Sequence, residues 1–174
     1  RCLALAAALR EAGASCAFLM RNPPAVLAER VRAGRHALLE LEGEDDAAAT
    51  IDALRAPGAG ARVVDSSAPG AEHPERVCAA TAPAVPLTVV LDDLADRNLT
   101  CDVVHSADPG ATAADYAGWR APTLLLGPSH ALLRADLRPD TRPNTRPEPE
   151  RDLATPLVLV TLGGGELGLR AVEL

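Results

Sequence analysis

Carboxylates follow two of the most apolar segments of the chain. The run Leu87–Leu91 leads directly into Asp92 and Asp93, with Arg97 close behind, and Asp65 follows another apolar run in the same way. Carboxylates at the end of a buried strand repel one another and hydrate strongly. The spacing therefore indicates either a solvated turn between strands or the rim of a ligand site.

The rim interpretation depends on where strand ends meet. Ligands of open parallel α/β sheets bind beyond the carboxyl ends of the strands, so we expect Asp65 and Asp92 on the same edge of one sheet. The competing interpretation is that these carboxylates cap the helices that follow. His105 also stands at a strand end, where a lone histidine is more often structural than catalytic. No Ser-His-Asp or Cys-His set has a local sequence pattern here.

A second candidate site lies near the end of the sequence. The apolar run Pro156–Leu162 is followed by Gly163, Gly164 and Gly165 and then by a helical pattern. A glycine turn at a helix N-terminus lets the backbone approach a phosphate, because free N–H groups and the helix dipole favour an anion. The turn lacks the lysine of GxxxxGK[ST] and the spacing of GxGxxG, so by itself it indicates phosphate binding only weakly.

The elements that position these residues alternate between strand and helix. Continuous apolar runs joined by short connections predict an α/β fold with a Rossmann-like parallel sheet covered by helices on both faces. Helices are predicted over Leu3–Ala12, Pro24–Ala33, Ala47–Ala56, His73–Ala82, Thr112–Ala117 and Ser129–Leu137. Strands are predicted over Ser15–Met20, His36–Leu41, Ala61–Val64, Leu87–Leu91, Asp102–His105 and Thr123–Leu126.

The chain divides into three parts. Residues 1–137 are predicted to form an N-terminal Rossmann-like domain. Residues 138–155 contain the run RPDTRPNTRPEPE, whose prolines remove amide donors and favour an extended linker. Residues 156–174 are predicted to be the first βα unit of a C-terminal nucleotide-binding domain.

Composition excludes several functions. The chain has 17 basic residues, all arginine, against 24 acidic ones, and a net charge of −7, so it offers no basic face for nucleic acid.

The cysteines are widely spaced without a CxxC pair, which favours reduced thiols over a metal site. No segment is long and apolar enough to span a membrane, and none is typical of a secretion signal. A cytoplasmic protein without metal or cofactor is expected.

Five segments together resemble a known family. In order, RCLALAAALREAG, VVLDDLADRNLTCDVV, GATAADYAG, LLLGPSHALLR and LVTLGGG are similar to the PseG/SpsG family of UDP-diacetamido-trideoxy-altropyranose hydrolases of pseudaminic acid biosynthesis. The resemblance covers most of residues 1–137 and then 157–165. It implies a MurG-like GT-B architecture with a UDP-sugar between two Rossmann-like domains. Water attack at the sugar C1 would release UDP, with no metal or cofactor.

The resemblance also implies residue roles. The expected substrate-binding residues are Arg1, Asp65, Asp92, Asp93, Arg97 and Arg134, and the expected nucleotide-binding residues are Gly163, Gly164 and Gly165. Arg1 matches the last residue of the family's G-x-G-H-x-x-R loop, so the histidine proposed as general base would precede it. No catalytic residue is therefore assigned within the chain, and we expect the 174-residue chain alone to release no UDP.

Several positions depart from the family pattern and keep two alternatives open. Ser67 stands where the family has the tyrosine of Asp-x-Tyr, His105 opens the segment where relatives carry a polar N-Q-N-like run, and His130 replaces a tyrosine. One alternative is a GT-B glycosyltransferase, because a fold does not determine a function. The other is a degenerate, non-catalytic module that binds nucleotide sugars.

Overall fold

The computed structural model describes residues 1–41, 46–54, 58–65, 72–81, 85–96 and 98–137. The predicted linker and the predicted start of a C-terminal domain lie outside these residues, as does Arg97. Across the part that is described, no helix combines the length and the apolar character needed to cross a bilayer.

Strands and helices alternate through the first half of the fold. The helices are α1 (Cys2–Glu11), α2 (Ala25–Ala33), α3 (Asp46–Leu54) and α4 (Glu72–Thr81). The strands are β1 (Ala17–Met20), β2 (Ala37–Glu40), β3 (Arg62–Asp65), β4 (Thr88–Leu91), β5 (Val103–Ser106) and β6 (Thr123–Leu126). Two short 3-10 turns follow, at Pro128–His130 and Ala135–Leu137.

The helix boundaries follow from local chemistry. Helix α1 is rich in alanine and leucine, which have high helix propensity, and Gly13 beyond its end takes the left-handed conformation with φ 90°. Pro24 precedes the first residue of α2, where its missing N–H costs no hydrogen bond. Arg30 and Arg32 occupy the last turn of α2, where positive charge interacts favourably with the helix dipole.

All the strand pairs within the described residues are parallel, which confirms an α/β class of Rossmann-like character. The strands form two sheets, one with the order β1-β2 and one with the order β3-β4-β5-β6. The prediction of one sheet was wrong in this respect, because β1 and β3 share no hydrogen bonds. In the larger sheet Asp65 pairs with Leu91, and Leu91 pairs with His105.

The apolar core lies on the larger sheet. Strands β4 and β5 contribute Val90 and Val104, and the segments before β5 and before β6 supply the other buried members, which are Leu99, Cys101, Tyr116 and Trp119. The rings of Tyr116 and Trp119 meet edge to face with centroids 5.4 Å apart, an arrangement that aromatic quadrupoles favour. This packing anchors the loop between β5 and β6 to the sheet.

Two predicted helices are absent. Residues 112–117 form consecutive turns, in which Asp115 accepts hydrogen bonds from the N–H and hydroxyl of Thr112; such local side-chain bonds compete with helix formation. Residues 129–137 are not one helix either. Ala131 leaves the first 3-10 turn with an extended backbone, ψ 128°, which ends the helical turn there, and residues 131–133 line a groove together with α1.

Candidate functional site

The predicted carboxylates gather at one edge of the larger sheet. Asp65 is the last residue of β3, and Asp92 directly follows the last residue of β4. The N–H of Asp92 donates to the carbonyl of His105 at 2.9 Å. Because β3 and β4 are parallel neighbours, Asp65, Asp92 and Asp93 lie together, and the expectation that Asp65 and Asp92 share an edge is confirmed.

Arg1 joins two of these carboxylates. Its Nε donates to Asp65 Oδ2 at 3.0 Å and its Nη2 donates to Asp65 Oδ1, while Nη1 contacts both oxygens of Asp93. The side chains of Arg1 and Asp65 are 28% and 29% exposed, whereas that of Asp93 is 57% exposed. The guanidinium therefore donates to Asp65 from two separate nitrogens and to Asp93, at the boundary with solvent, from the third.

The surroundings keep Asp65 ionised. Burial acts to raise the pKa of Asp65, but hydrogen bonds from Arg1 and Cys2 and the charge of Arg1 outweigh it, so the pKa is lowered. The Cys2 thiol donates to Asp65 Oδ2 at 3.0 Å. Burial and this hydrogen bond raise the pKa of Cys2 to about 12, which keeps the thiol protonated and unreactive at neutral pH.

Asp92 differs from its neighbour because it is buried. Its Oδ2 accepts a hydrogen bond from the Ala95 N–H at 2.7 Å and another from the Tyr116 hydroxyl at 3.0 Å. Ala95 has φ 51°, a left-handed conformation uncommon for a residue with a side chain. The Asp92 carboxylate thus stabilises the turn that carries Asp93 to the edge of the sheet.

Tyr116 completes this buried network. Burial raises the pKa of its phenol to about 12, a hydrogen bond with Ser106 acts in the opposite direction, and the hydrogen bond to Asp92 raises the pKa further. Ser106 ends β5, so the network ties the carboxyl ends of β4 and β5 to the loop containing Tyr116. The sequence did not predict Ser106 or Tyr116 as site residues. The sequence did offer one indication of Tyr116, since it is a lone tyrosine in an apolar chain and the hydroxyl of a buried tyrosine needs a hydrogen-bond partner.

His105 has a structural contact at the same edge. Its Nε2 lies 2.6 Å from the carbonyl oxygen of His130. A carbonyl only accepts hydrogen bonds, so Nε2 is the protonated nitrogen. The interaction links β5 to the 3-10 turn after β6, which fits the structural role expected for His105.

The remaining predicted residues are not part of this cluster. Arg134 is well exposed and pairs with Asp136 at 3.0 Å, and no contact links it to Arg1, Asp65 or Asp93. Arg97, Gly163, Gly164 and Gly165 lie outside the described residues. Within the described ranges, no group of three histidine, cysteine, aspartate or glutamate side chains could hold a metal ion.

An apolar groove of about 230 Å³ lies beside α1. Its lining comes from one side of α1 and from the extended segment after the first 3-10 turn: Ala4, Leu5, Ala8, Ala131, Leu132 and Leu133. None of the predicted site residues lines it. The polar edge around Arg1, not this groove, is the candidate functional site.

Comparisons with protein-family models, with curated proteins and with solved structures found no match to this chain.

Proposed function

We propose that the edge formed by Arg1, Asp65 and Asp93 binds the sugar of a UDP-sugar in a hydrolase that releases UDP. The observation that carries this proposal is the guanidinium of Arg1 fixed between two carboxylates at the carboxyl edge of a parallel sheet. Ligands of such sheets bind at this edge. The sequence resemblance supplies the substrate class, and a GT-B architecture belongs to the same proposal.

The charges of the cluster favour a sugar over a diphosphate. One guanidinium faces two carboxylates, so its positive charge is already compensated and is not available to a phosphate group. Asp93 is 57% exposed, and each carboxylate oxygen has two lone pairs. Oxygens of this kind accept hydrogen bonds from sugar hydroxyls and acetamido N–H groups. We therefore assign the sugar to Asp93, and from the sequence resemblance we assign the diphosphate to Gly163, Gly164 and Gly165.

The proposed reaction is a displacement at the anomeric carbon. The oxygen of water bonds to C1, the bond from C1 to the UDP oxygen breaks, and UDP leaves with the negative charge. The water proton passes to a general base, a role that we assign to none of the described residues. Asp65 and Asp93 hold the sugar, and Asp92 positions Asp93 through the turn.

A cytoplasmic location is part of the proposal. All four cysteines are free thiols, two of them buried, and cytosolic proteins keep their thiols reduced.

The test measures binding and turnover in parallel. Calorimetry follows binding of the UDP-linked diacetamido sugar, and a coupled assay follows UDP release. Asp93→Asn is expected to weaken binding at least about tenfold, the effect of losing roughly 1.4 kcal/mol of charge-assisted hydrogen bonding. Glu40→Gln is the matched control, because Glu40 is 56% exposed and also pairs with an arginine, Arg32.

The outcomes separate the proposal from its alternatives. Binding that Asp93→Asn weakens and Glu40→Gln leaves unchanged supports the sugar site, and UDP release into water supports the hydrolase. Transfer to an added sugar acceptor would instead identify a glycosyltransferase. Because the 174-residue chain alone is expected to release no UDP, turnover is assayed on a chain that also carries the family's glycine-rich loop and a full second domain, and binding without any turnover there would identify a non-catalytic module. Absence of binding to the wild-type chain would refute the site.

A further inference from the structure

The turn that follows β4 carries one of the most exposed apolar side chains of the described residues. Leu94 is 64% exposed, and in that part of the chain only Val26 exceeds it among the large apolar residues. Turn positions favour Gly, Pro, Asn, Asp and Ser, whose backbone preferences or side-chain hydrogen bonds form the turn. A leucine supplies neither of these, and an exposed one forgoes the free energy of apolar burial. Turn formation therefore does not account for Leu94.

The backbone on both sides of Leu94 is held in place. On one side, Arg1 Nη1 contacts both carboxylate oxygens of Asp93. On the other side, the Ala95 N–H donates to Asp92 Oδ2 at 2.7 Å, and Ala95 packs against the apolar core. A conformation such as the φ of 51° at Ala95 persists only where its surroundings hold it. Leu94 is therefore positioned before any ligand binds, which lowers the entropic cost of binding.

Leu94 and Asp93 offer different chemistry from neighbouring positions. Consecutive Cα atoms are about 3.8 Å apart, and both side chains are exposed. Asp93 offers carboxylate oxygens that accept hydrogen bonds, whereas Leu94 offers only apolar contact. The pair fits a ligand group in which a hydrogen-bond donor and an alkyl carbon lie side by side.

An N-acetyl group on a sugar has this arrangement. Its amide is planar and trans, so the sugar carbon and the methyl carbon lie on opposite sides of the C–N bond. The N–H and the methyl group consequently share one edge of the amide plane. A hydroxyl group offers a donor without the methyl, and the methyl of a deoxy sugar offers the carbon without a donor. The acetamido group is therefore the substituent that engages both side chains.

We propose that Leu94 is a specificity-determining residue that contacts the methyl of an acetamido group whose N–H donates to Asp93. This inference rests on the proposed function, because it requires that the sugar binds beside Asp93. Asp93 binds the polar half of the acetamido edge, and Leu94 removes the apolar half from water. The turn by itself then selects an N-acetylated sugar over one with a hydroxyl at that carbon.

The test deletes the methyl from the ligand and the leucine from the protein. Calorimetry on the 174-residue chain compares the UDP-linked diacetamido sugar with its diformamido analogue, in which hydrogen replaces each acetamido methyl. We expect the wild-type chain to bind the acetamido ligand about fourfold more tightly, the factor for burying one hydrocarbon carbon, roughly 0.8 kcal/mol. Leu94→Ala should reduce this preference to less than about twofold.

Two control variants test whether the preference comes from apolar contact at this position. Leu94→Met keeps an apolar side chain of similar volume and should keep the preference. Leu87→Ala makes the same deletion just before the opposite, amino end of β4, where Leu87 is also exposed, and should keep the preference as well. Asp93→Asn should weaken binding of both ligands by the same factor, because the formamido analogue retains its N–H.

A nuclear Overhauser effect locates the contact directly. With isotope-labelled leucine methyl groups, the Leu94 δ-methyls should show a cross-peak to an acetamido methyl of the bound sugar, and Leu94→Ala identifies their signals. A cross-peak to the C6 methyl of the sugar instead would overturn the assignment of the acetamido group.

Failure of this inference and failure of the sugar site give different results. If Asp93→Asn weakens binding but Leu94→Ala keeps the full preference, or if the wild-type chain has no preference, Leu94 plays no part in recognition and the sugar site stands. If the wild-type chain binds neither ligand, or if Asp93→Asn has no effect, the sugar site fails and the role of Leu94 fails with it.

Discussion

The two ion pairs of Arg1 should differ in strength, and double-mutant cycles can measure the difference. The variants are Arg1→Met, Asp65→Asn and Asp93→Asn, together with the two double variants that combine Arg1→Met with each asparagine. Asparagine preserves the shape of aspartate without its charge, and methionine preserves most of the arginine stem. Urea unfolding at pH 7 and low salt gives the free energy of unfolding of each variant.

The magnitudes follow from exposure and geometry. Two unit charges about 4 Å apart attract by roughly 4 kcal/mol at an effective dielectric constant near 20, and desolvation cancels much of this. Arg1 and Asp65 are both under a third exposed and share two separate N–H donors, so we expect a coupling energy of about 1.5–2 kcal/mol. Asp93 is 57% exposed and contacts a single nitrogen, so we expect about 0.5 kcal/mol.

Salt should separate the two pairs further. At 1 M NaCl the screening length falls to about 3 Å, so the Asp93 coupling should become unmeasurable while most of the Asp65 coupling remains. Equal couplings, or a larger coupling for Asp93, would refute the reasoning from burial. Loss of both couplings in salt would show that Asp65 is as accessible to ions as Asp93.

Three further predictions concern stability. The lowered pKa of Asp65 means that the unfolded chain binds more protons in acid than the folded chain. The stabilisation that Asp65 contributes is therefore complete above about pH 5 and is lost as the pH falls below about 4. In urea unfolding at a series of pH values, the free energy of unfolding of Asp65→Asn should depend less steeply on pH in acid than that of the wild type, and an unchanged slope would contradict the shift. Tyr116→Phe leaves the buried Asp92 carboxylate without one donor and should cost about 1.5–3 kcal/mol, whereas a cost below about 0.5 kcal/mol would show that water replaces the hydroxyl. Gly127 has φ 90° and ψ 175°, a backbone conformation that essentially only glycine adopts. Gly127→Ala should therefore lower the free energy of unfolding by about 1–3 kcal/mol, although the added Cβ would meet open space. Gly60→Ala is the control: the Cβ added at Gly60 also meets open space, but the backbone of Gly60 has no positive φ. This substitution should not destabilise the fold.

The different environments of Asp92 and Asp93 could not be predicted from their adjacent positions. Successive residues after a strand point in different directions, and which one is buried depends on what packs beside the strand. Tyr116, 24 residues away, supplies the hydroxyl that makes burial of Asp92 possible. Mutation of Asp92 should therefore act through the turn that carries Asp93.

The alternation of apolar runs and helical patterns was enough to predict an α/β fold with parallel strands and the edge that Asp65 and Asp92 share. These features depend on local periodicity and on chain direction, both of which can be read from neighbouring residues. The bridge from Arg1 to Asp65 and Asp93 spans 64 and 92 residues, so local periodicity could not predict it. The split between β1 and β3 also required the tertiary structure, because strand order is set by contacts between segments far apart in the chain.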